Sequence, residues 1–201
     1  MKILITSYMT PQASHRFSFF HKVTGNFSYF VASELCENFP FDFSVARLKN
    51  KCIKAARIIK PDWLIILSGI DSSIIKLPSF KKLDFCALHL GYRMSKENIP
   101  EKCSNWILSK KIYENFLLDE EFKCYGWEDF DFVYNVCKDI KKQSCRDFLT
   151  VDINDDNIDT KLISKSPFAI ENWESNKTKF LNKYIHLNKS SFDFEQHDSL
   201  K

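Results

Sequence analysis

The pattern of apolar and polar positions along the chain predicts a mixed α/β protein. Residues 2–9, "KILITSYM", are apolar and β-branched and end in polar residues, which is typical of a buried strand. Residues 27–33, "FSYFVAS", are predicted to form a second strand, and "PFDFSV" (40–45) an extended link. The N-terminal part of the chain is therefore expected to contribute two strands before the first helix.

Residues 46–60, "ARLKNKCIKAARIIK", show the clearest helical period. Apolar side chains recur three or four residues apart, and basic side chains fill other positions of the helical wheel. Pro61 is expected to end this amphipathic helix. The apolar positions are Leu48, Cys52, Ala55 and Ile59, and the basic ones are Arg47, Lys49, Lys51, Lys54 and Arg57.

Two further strands are predicted in the middle of the chain. Residues 62–70, "DWLIILSGI", form a continuous apolar run, which indicates a central strand buried on both faces. Residues 84–93, "DFCALHLGYR", are predicted to form another strand.

Two helices are predicted after these strands. Residues 104–116, "SNWILSKKIYENF", are expected to be helical, with Ser104 or Asn105 as the first cap. Residues 131–142, "DFVYNVCKDIKK", place several apolar side chains on one helical face. A loop is expected between these two helices.

The predicted order of elements indicates one main domain followed by an extension. The pattern weakens from about Asp147, and "VDINDDNIDTK" (151–161) has the composition of an acidic, polar connector. We therefore expect a core over residues 1–146 and a C-terminal extension over 147–201. In that extension "KYIHLN" (183–188) is the ordered-looking patch, and the final residues are expected to be disordered.

Composition and charge narrow the function classes. The chain has 201 residues, 44% of them apolar, with 29 basic and 26 acidic residues and a formal net charge of +3. This near balance argues against a nucleic-acid binder, which concentrates basic residues on one face. A mild positive surface suits an anionic small molecule or an acidic membrane surface.

The cysteines and apolar runs predict a soluble, cytoplasmic protein. None of the seven cysteines forms a CxxC pair, so a zinc knuckle is disfavoured and reduced thiols are expected. The N-terminal apolar run is too short for a signal peptide. The longest other run, "WLIILSGI", is far shorter than the roughly 20 residues that span a bilayer.

Asp71 and His186 are candidate metal ligands. Asp71 follows the predicted central strand, and ligands of open α/β sheets bind at the carboxyl ends of strands. Its carboxylate could hold Mg²⁺ or Mn²⁺, or it could cap or turn the chain. His186 is either a surface or packed residue, or a ligand that folds back on Asp71.

The stretch "KCYGWEDFDF" combines groups that suit sugar chemistry. Gly126 permits a tight turn, and Trp127 offers a flat apolar face. Glu128, Asp129 and Asp131 stand at the start of a predicted helix, where its positive end favours carboxylates. Asp129 could be the N-cap, or a carboxylate beside an apolar wall could act as a general base toward a hydroxyl.

These residues resemble a motif of the galactosyltransferase family and its bacterial relatives. "YGWEDFDF" (125–132) is similar to that family's GWGxEDxDF or YGWEDxDF segment. Residues 43–56 resemble its "FNRAxLxNxGxxxA" helix, and residues 104–122 resemble the segment that leads into the motif. The likeness runs from about residue 3 to about residue 140, and more weakly to His186. The helix-pattern positions are Phe43, Ala46, Arg47, Leu48, Asn50 and Ala56.

The resemblance implies a glycosyltransferase of the GT-A fold, with a mostly parallel mixed sheet flanked by helices. Such an enzyme moves a hexose, here galactose or an N-acetylhexosamine, from a UDP-sugar to an acceptor hydroxyl, with inversion. A cytoplasmic enzyme of surface-polysaccharide synthesis is implied. Its acceptor would be a glycan or a lipid-linked saccharide, met peripherally at the inner membrane face.

The resemblance also implies roles for individual residues of the motif. Asp129 would be the general base, and Glu128 would bind sugar hydroxyls. Trp127 would pack against the acceptor ring, and Gly126 would allow its approach. Asp131 would orient the loop or favour the start of the helix.

A metal ion and further substrate-binding residues are implied as well. Asp71, with His186, would hold Mn²⁺ (or Mg²⁺) on the diphosphate of the donor. The further candidates are Glu34 or Ser33, near the base or ribose of the donor, and Arg47 and Asn50 on the motif helix.

The sequence departs from the family at two positions. The family carries an Asp-x-Asp at the end of its third strand, whereas this chain has either "DSS" from Asp71 or "GID" ending at it. Cys52 replaces the glycine of the motif helix. The alternative prediction is a non-catalytic relative that binds a sugar nucleotide, a glycan or a partner enzyme.

Overall fold

The computed structural model shows a mixed sheet with helices packed against it. The structure describes residues 1–8, 27–33, 43–67, 72–95, 98–152 and 167–184. The strands are β1 (Ile3–Tyr8), β2 (Phe27–Ala32), β3 (Trp63–Ile66), β4 (Ser72–Lys76), β5 (Ala87–Met94), β6 (Pro100–Ser109) and β7 (Lys141–Asp152). The helices are α1 (Val45–Ile59), α2 (Lys110–Asn115), α3 (Glu128–Cys137) and α4 (Pro167–Lys183), with a 3₁₀ turn at Phe80–Lys82.

The seven described strands form one sheet in the order β2-β1-β3-β6-β5-β7-β4. β1 pairs in parallel with β2 and β3, and β5 pairs in parallel with β7. β6 lies antiparallel between β3 and β5, and β4 is antiparallel to β7. The mixed sheet was expected: five of its seven described strands run in one direction, and β6 and β4 run against their neighbours, so three of the six pairings are antiparallel.

The central strands are buried on both faces, as the apolar run at 62–70 predicted. Leu64 and Ile66 of β3 face the cluster that α1, α2 and α3 complete. Trp63 and Ile65 face the opposite cluster, with Phe148 of β7. This alternation follows from the two-residue period of a strand that is covered on both sides.

Helix α1 confirms the predicted amphipathic helix, with local signals at both ends. The Ser44 hydroxyl accepts a hydrogen bond from the Arg47 amide at 3.3 Å, which caps the first turn. At the other end Lys60 adopts a left-handed conformation, and its amide donates to the Ala56 carbonyl before Pro61. One basic residue departs from the expected pattern, since Lys49 is fully buried.

The helix predicted over residues 104–116 is wrong in its first half. Residues up to Ser109 belong to β6, and only Lys110–Asn115 is helical. Trp106, Ile107 and Leu108 are all buried, because β6 lies between two strands and has apolar clusters on both faces. A short continuous apolar run fits a doubly covered strand as well as a helix.

The C-terminal part of the described chain also differs from expectation. β7 extends to Asp152 and runs through the expected boundary between residues 146 and 147, so the sheet continues into the predicted extension. α3 ends at Cys137 rather than reaching residue 142. Most of the predicted connector and the residues beyond Tyr184 lie outside the described residues.

Candidate functional site

The YGWED loop (residues 123–129) is joined to the start of α1 by backbone hydrogen bonds. The Val45 amide donates to the Cys124 carbonyl, and the Cys124 amide donates to the Phe43 carbonyl, each at 2.9 Å. The Ser44 hydroxyl donates to the Phe122 carbonyl at 3.2 Å. These bonds place the loop beside the helix whose sequence resembles the family motif.

Three residues of this loop have positive φ angles. The values are 55° at Cys124, 93° at Gly126 and 68° at Trp127. Such conformations are costly for residues with side chains and persist where surrounding contacts impose them. The loop therefore carries backbone strain next to its acidic residues.

The strained backbone leads directly into the first turn of α3, where the three acidic residues of the motif lie. Trp127 occupies the N-cap position, so Asp129 is not the N-cap that was one of its predicted roles. Glu128, Asp129 and Asp131 all lie in the first turn, where the positive end of the helix favours carboxylates.

Glu128 is a buried acid. Only 5% of the surface of Glu128 is exposed, and its Oε2 atom has no hydrogen-bond partner among the described residues. Burial and the charge of Asp129 raise the pKa of Glu128 to about 8, against the opposing effect of Lys49. Glu128 is therefore mainly protonated at neutral pH.

Asp129 forms an ion pair with Lys49 of α1. The Lys49 ammonium contacts the Oδ1 atom of Asp129, whose side chain is 22% exposed. The ammonium also lies 4.5 Å from the ring centroid of Trp106 and 5.7 Å from that of Tyr8. Burial lowers the pKa of Lys49, but Asp129, Tyr8 and Glu128 raise it to a net value above the ordinary one.

Lys49 is the site residue that the sequence prediction missed. On the helical wheel it was placed with the basic residues that lie off the apolar positions. Lys49 precedes Cys52, Ile53 and Ala56 by three, four and seven residues, and those three residues are buried. This spacing was the available signal, because residues so spaced share one helix face.

The position of Tyr8 shows that Glu128 and Asp129 lie near the carboxyl end of β1. It is the last residue of that strand, and Lys49, Asp129 and Glu128 all influence its titration. Burial, the largest cause, raises the pKa of Tyr8, while Lys49 lowers it. The candidate site therefore lies at the edge of the sheet where open α/β folds bind ligands.

On its opposite side the YGWED loop packs against α4. A Cβ atom on Gly126 would lie 2.4 Å from Cδ1 of Trp173, so the glycine is required for this approach as well as for its φ angle. Trp127 is 6% exposed, and its ring centroid lies 5.0 to 5.5 Å from those of Phe130, Trp173 and Phe180. Protein side chains thus cover the ring that was expected to pack against a sugar.

Asn176 of α4 satisfies the polar backbone of the loop. Its Nδ2 group donates to the carbonyls of Lys123 at 2.8 Å, Gly126 at 3.1 Å and Tyr125 at 3.4 Å. Its Oδ1 accepts from the Lys123 amide at 3.3 Å. One buried amide side chain therefore forms hydrogen bonds with both the backbone amide and the backbone carbonyl of Lys123, and it stabilises the strained turn that follows.

Asp131 connects α3 to the end of α4. Its Oδ1 atom accepts from the Tyr184 hydroxyl at 2.7 Å and contacts the Lys183 ammonium at 2.8 Å. Asp131 is 2% exposed, and its carboxylate is directed to these partners. Of the two roles predicted for Asp131, the contacts favour orientation of the loop by holding α3 to α4.

Asn50 has structural partners, whereas a substrate role for Arg47 remains a prediction. The Asn50 side chain donates to the Leu118 carbonyl and to Glu120, each at 2.9 Å, and accepts from the Leu118 amide at 2.8 Å. Asn50 therefore holds the segment that precedes the loop. Arg47 is partly buried near the start of α1.

The predicted metal ligands and one nucleotide-binding candidate fall on parts of the chain that the structure does not describe. Asp71, His186 and Glu34 lie outside the described residues, and Ser33 is exposed just after β2. Among the residues that the structure does describe, no group of three His, Cys, Asp or Glu side chains could hold a metal ion. No helix in this described part is long and apolar enough to span a membrane.

The comparisons with known proteins give a distant structural likeness and no match in sequence. No family model matches the chain. No curated protein matches it either. A solved structure of a glycosyltransferase involved in the glycosylation of the major capsid of PBCV-1 is similar, with a TM-score of 0.43 and 14% identity over 88% of this chain and 100% of that chain. A likeness at this level assigns neither a fold family nor an activity to the chain.

Proposed function

We propose that the chain is a GT-A type glycosyltransferase that transfers a hexose, galactose or an N-acetylhexosamine, from a UDP-sugar to an acceptor hydroxyl. The observation that best supports this proposal is the acidic pair of the YGWED loop. Glu128 and Asp129 lie together at the carboxyl end of β1, with the buried cation of Lys49 beside them. Their motif is the part of the sequence that resembles the galactosyltransferase family.

The proposed reaction is a displacement with inversion at the anomeric carbon of the sugar. The acceptor oxygen forms a bond to that carbon while the bond from the carbon to the UDP phosphate oxygen breaks. A carboxylate of the enzyme receives the proton of the acceptor hydroxyl, and UDP leaves. A positioned base typically contributes about 10²- to 10⁴-fold to the rate of such a step.

The two acids suit different tasks in this reaction. Asp129 is the more exposed acid and is paired with a cation, so we assign it the role of general base. Glu128 is buried and mainly protonated at neutral pH, so its carboxyl group can donate a hydrogen bond to a sugar oxygen. This division keeps the roles that the sequence predicted for both residues.

A divalent ion, Mn²⁺ (or Mg²⁺), is proposed at Asp71 and His186. When bound to the diphosphate, such an ion would neutralise charge on the departing UDP. The described residues supply no ligand set of their own, and the proposed roles of Asp129 and Glu128 do not involve the ion. The proposed setting is cytoplasmic synthesis of a surface polysaccharide, with a glycan or lipid-linked saccharide as acceptor, peripherally at the inner membrane face.

The first test is calorimetric titration of UDP into the protein, with and without Mn²⁺, on wild type and Asp71→Ala. We expect binding that requires Mn²⁺ and is lost in the variant. Release of UDP from a panel of UDP-sugars then identifies the donor. Asp129→Asn should retain UDP binding and lose turnover by about 10²- to 10⁴-fold. Asp139→Asn, an exposed acid just after α3, is the matched control and should keep wild-type turnover.

The alternative function is binding without transfer. It is favoured by the missing second carboxylate near Asp71 and by the burial of Trp127, which covers the expected sugar platform. UDP binding without consumption of any UDP-sugar would support this alternative. If UDP does not bind under either condition, the proposed enzyme function is contradicted.

A further inference from the structure

Lys49 is an unusual residue for the position that it occupies. It is 0% exposed, on the face of α1 that packs toward the sheet. An isolated ammonium group is very costly to bury, so a lysine persists there only with a charged partner and favourable aromatic contacts. The Asp129 carboxylate and the rings of Trp106 and Tyr8 provide these contacts.

We propose that Lys49 is a positioning residue of the transfer reaction: it holds the Asp129 carboxylate by one oxygen and neutralises one of two adjacent acids. This inference rests on the proposed function, because it gives the general base its orientation and its charged form.

The geometry supports this assignment through the atom that is contacted. The lysine binds Oδ1 of Asp129, while the side chain of that residue remains partly exposed. A base that accepts a proton from a bound hydroxyl must be held within about 2.6–3.2 Å of it. A fixed Oδ1 contact restricts rotation of the carboxylate and thereby restricts where its second oxygen can lie.

The charge balance around Glu128 supports it independently. Among the residues that the structure describes, the groups that interact electrostatically with Glu128 are Asp129 on its own helix, Lys49 on α1, and Tyr8, Cys124 and Tyr125. The tyrosines and the cysteine are neutral near pH 7, and burial raises the pKa of each. Of these groups only Lys49 carries positive charge, so one cation balances one carboxylate.

Lys49→Met tests this proposal because it removes the charge and keeps much of the side-chain volume. Without the cation, the buried Glu128 should hold its proton to higher pH. The carboxylate of Asp129 should also lose its fixed orientation. We expect turnover to fall by about 10²-fold with donor KM nearly unchanged, and the pH profile of turnover to move toward alkaline pH.

Two matched variants separate positioning from general damage. Lys54→Met removes an exposed lysine of the same helix, 3.6 Å from an exposed Glu120, and should leave turnover and its pH profile unchanged. Lys49→Arg keeps the charge and should recover part of the lost turnover. If Lys49→Met does not fold, Lys49→Met combined with Asp129→Asn removes both charges, and the titration of the Glu128 carboxyl in this double variant is compared with that in Asp129→Asn alone. We expect Glu128 to titrate at higher pH in the double variant, and equal titration overturns the inference.

A second readout does not depend on activity. The ¹³C signals of the side-chain carboxyl groups are followed against pH in wild type and Lys49→Met, with Glu128→Gln and Asp129→Asn used for assignment. We expect the Glu128 signal to titrate at least one pH unit higher in Lys49→Met. Unchanged titration, or unchanged turnover in a folded Lys49→Met, overturns the inference. A wild type that consumes no UDP-sugar instead contradicts the proposed function, whereas the titration tests the Lys49 contact by itself.

Discussion

The YGWED loop is held by α1 on one side and by α4 on the other, and the two sides use different interactions. On the α1 side the side-chain contact is a buried ion pair, Lys49 with Asp129. On the α4 side Asn176 bonds the loop carbonyls, and Trp173 packs against Gly126 and Trp127. Charge thus contacts the loop on the side where chemistry is proposed, and neutral contacts shape the loop backbone on the other side, with the Asp131–Lys183 ion pair lying beyond the loop at the end of α4.

This difference predicts unequal responses to mutation. Removal of one partner from a buried ion pair leaves an uncompensated charge, which costs more than the loss of a neutral hydrogen bond. The α1 side should therefore be sensitive to charge and pH. The α4 side should be sensitive to shape and to the number of hydrogen bonds.

The largest effect is expected for Lys49→Met on the α1 side. It leaves Asp129 and Glu128 without their cation, and the free energy of unfolding should fall by about 3–5 kcal/mol. Urea unfolding followed by circular dichroism measures this change. Lys54→Met, on the exposed face, should stay within about 0.5 kcal/mol of wild type. A loss below about 1 kcal/mol for Lys49→Met would mean that the two sides do not differ as described.

Glu128→Gln should reveal the pH dependence of the same side. The unfolded chain loses the Glu128 proton near pH 4.5, whereas the folded protein keeps it until about pH 8. Wild-type stability should therefore fall through this window, by at most about 1.4 kcal/mol per pH unit. The variant lacks this titration, so its stability relative to wild type should rise between pH 5 and pH 8 and level off above. A constant difference across these pH values would contradict the raised pKa.

Gly126→Ala tests the shape of the α4 side. The added Cβ would meet the Trp173 indole, and an alanine is strained at a φ of 93°. We expect a loss of roughly 2–3 kcal/mol in unfolding free energy that does not depend on pH. Thermal unfolding of Gly126→Ala, with and without Trp173→Ala, separates the two causes. Full rescue by Trp173→Ala would show that the φ angle contributes nothing.

Asn176→Ala tests the hydrogen bonds to the loop carbonyls. Its loss removes the hydrogen bonds that Asn176 donates to the partly buried carbonyls of Lys123 and Gly126, at a cost of about 1–3 kcal/mol. Chemical denaturation of this variant beside Asn172→Ala provides the measurement, because Asn172 bonds only within α4 among the contacts described. Equal effects of the two substitutions would count against a specific role for Asn176.

The smallest effect is expected for Tyr184→Phe at the end of α4. It removes one hydrogen bond to Asp131, and Lys183 still contacts the same oxygen. We expect a loss of about 1 kcal/mol, measured by urea unfolding. Loss of more than about 3 kcal/mol would show that Tyr184, rather than Asn176, dominates the α4 side.

Four strands, β1, β2, β3 and β5, and helix α1 could be predicted from the sequence, because their signals are local, whereas β4 and β7 were not predicted. β1, β2 and β3 have the apolar character of buried strands. Helix α1 has Ser44 as its N-cap, apolar residues at helical spacing, and Pro61 just after its end. The segment of β6 was predicted as a helix because its apolar run is compatible with both structures. Only its neighbours in the sheet decide between them.

The partners of the motif could not be predicted, because they come from distant parts of the chain. Ala169, Asn176 and Phe180 are buried on one side of α4, with Trp173 at the same spacing. A polar asparagine in this stripe weakens the apolar period, although its burial makes it important for the loop. Trp127 likewise has the chemistry of a sugar platform, and only the tertiary structure shows that α4 covers it.

The contribution of α4 also has a consequence for synthesis of the protein on the ribosome. Chains emerge with the N-terminus first, and residues 167–184 follow the YGWED loop by tens of residues. At a synthesis rate of about 5–20 residues per second, Asn176 and Tyr184 are added roughly 2–11 s after the loop. During this interval the nascent chain carries the acidic pair without the helix that shapes its backbone, so the site matures among the last parts of the fold.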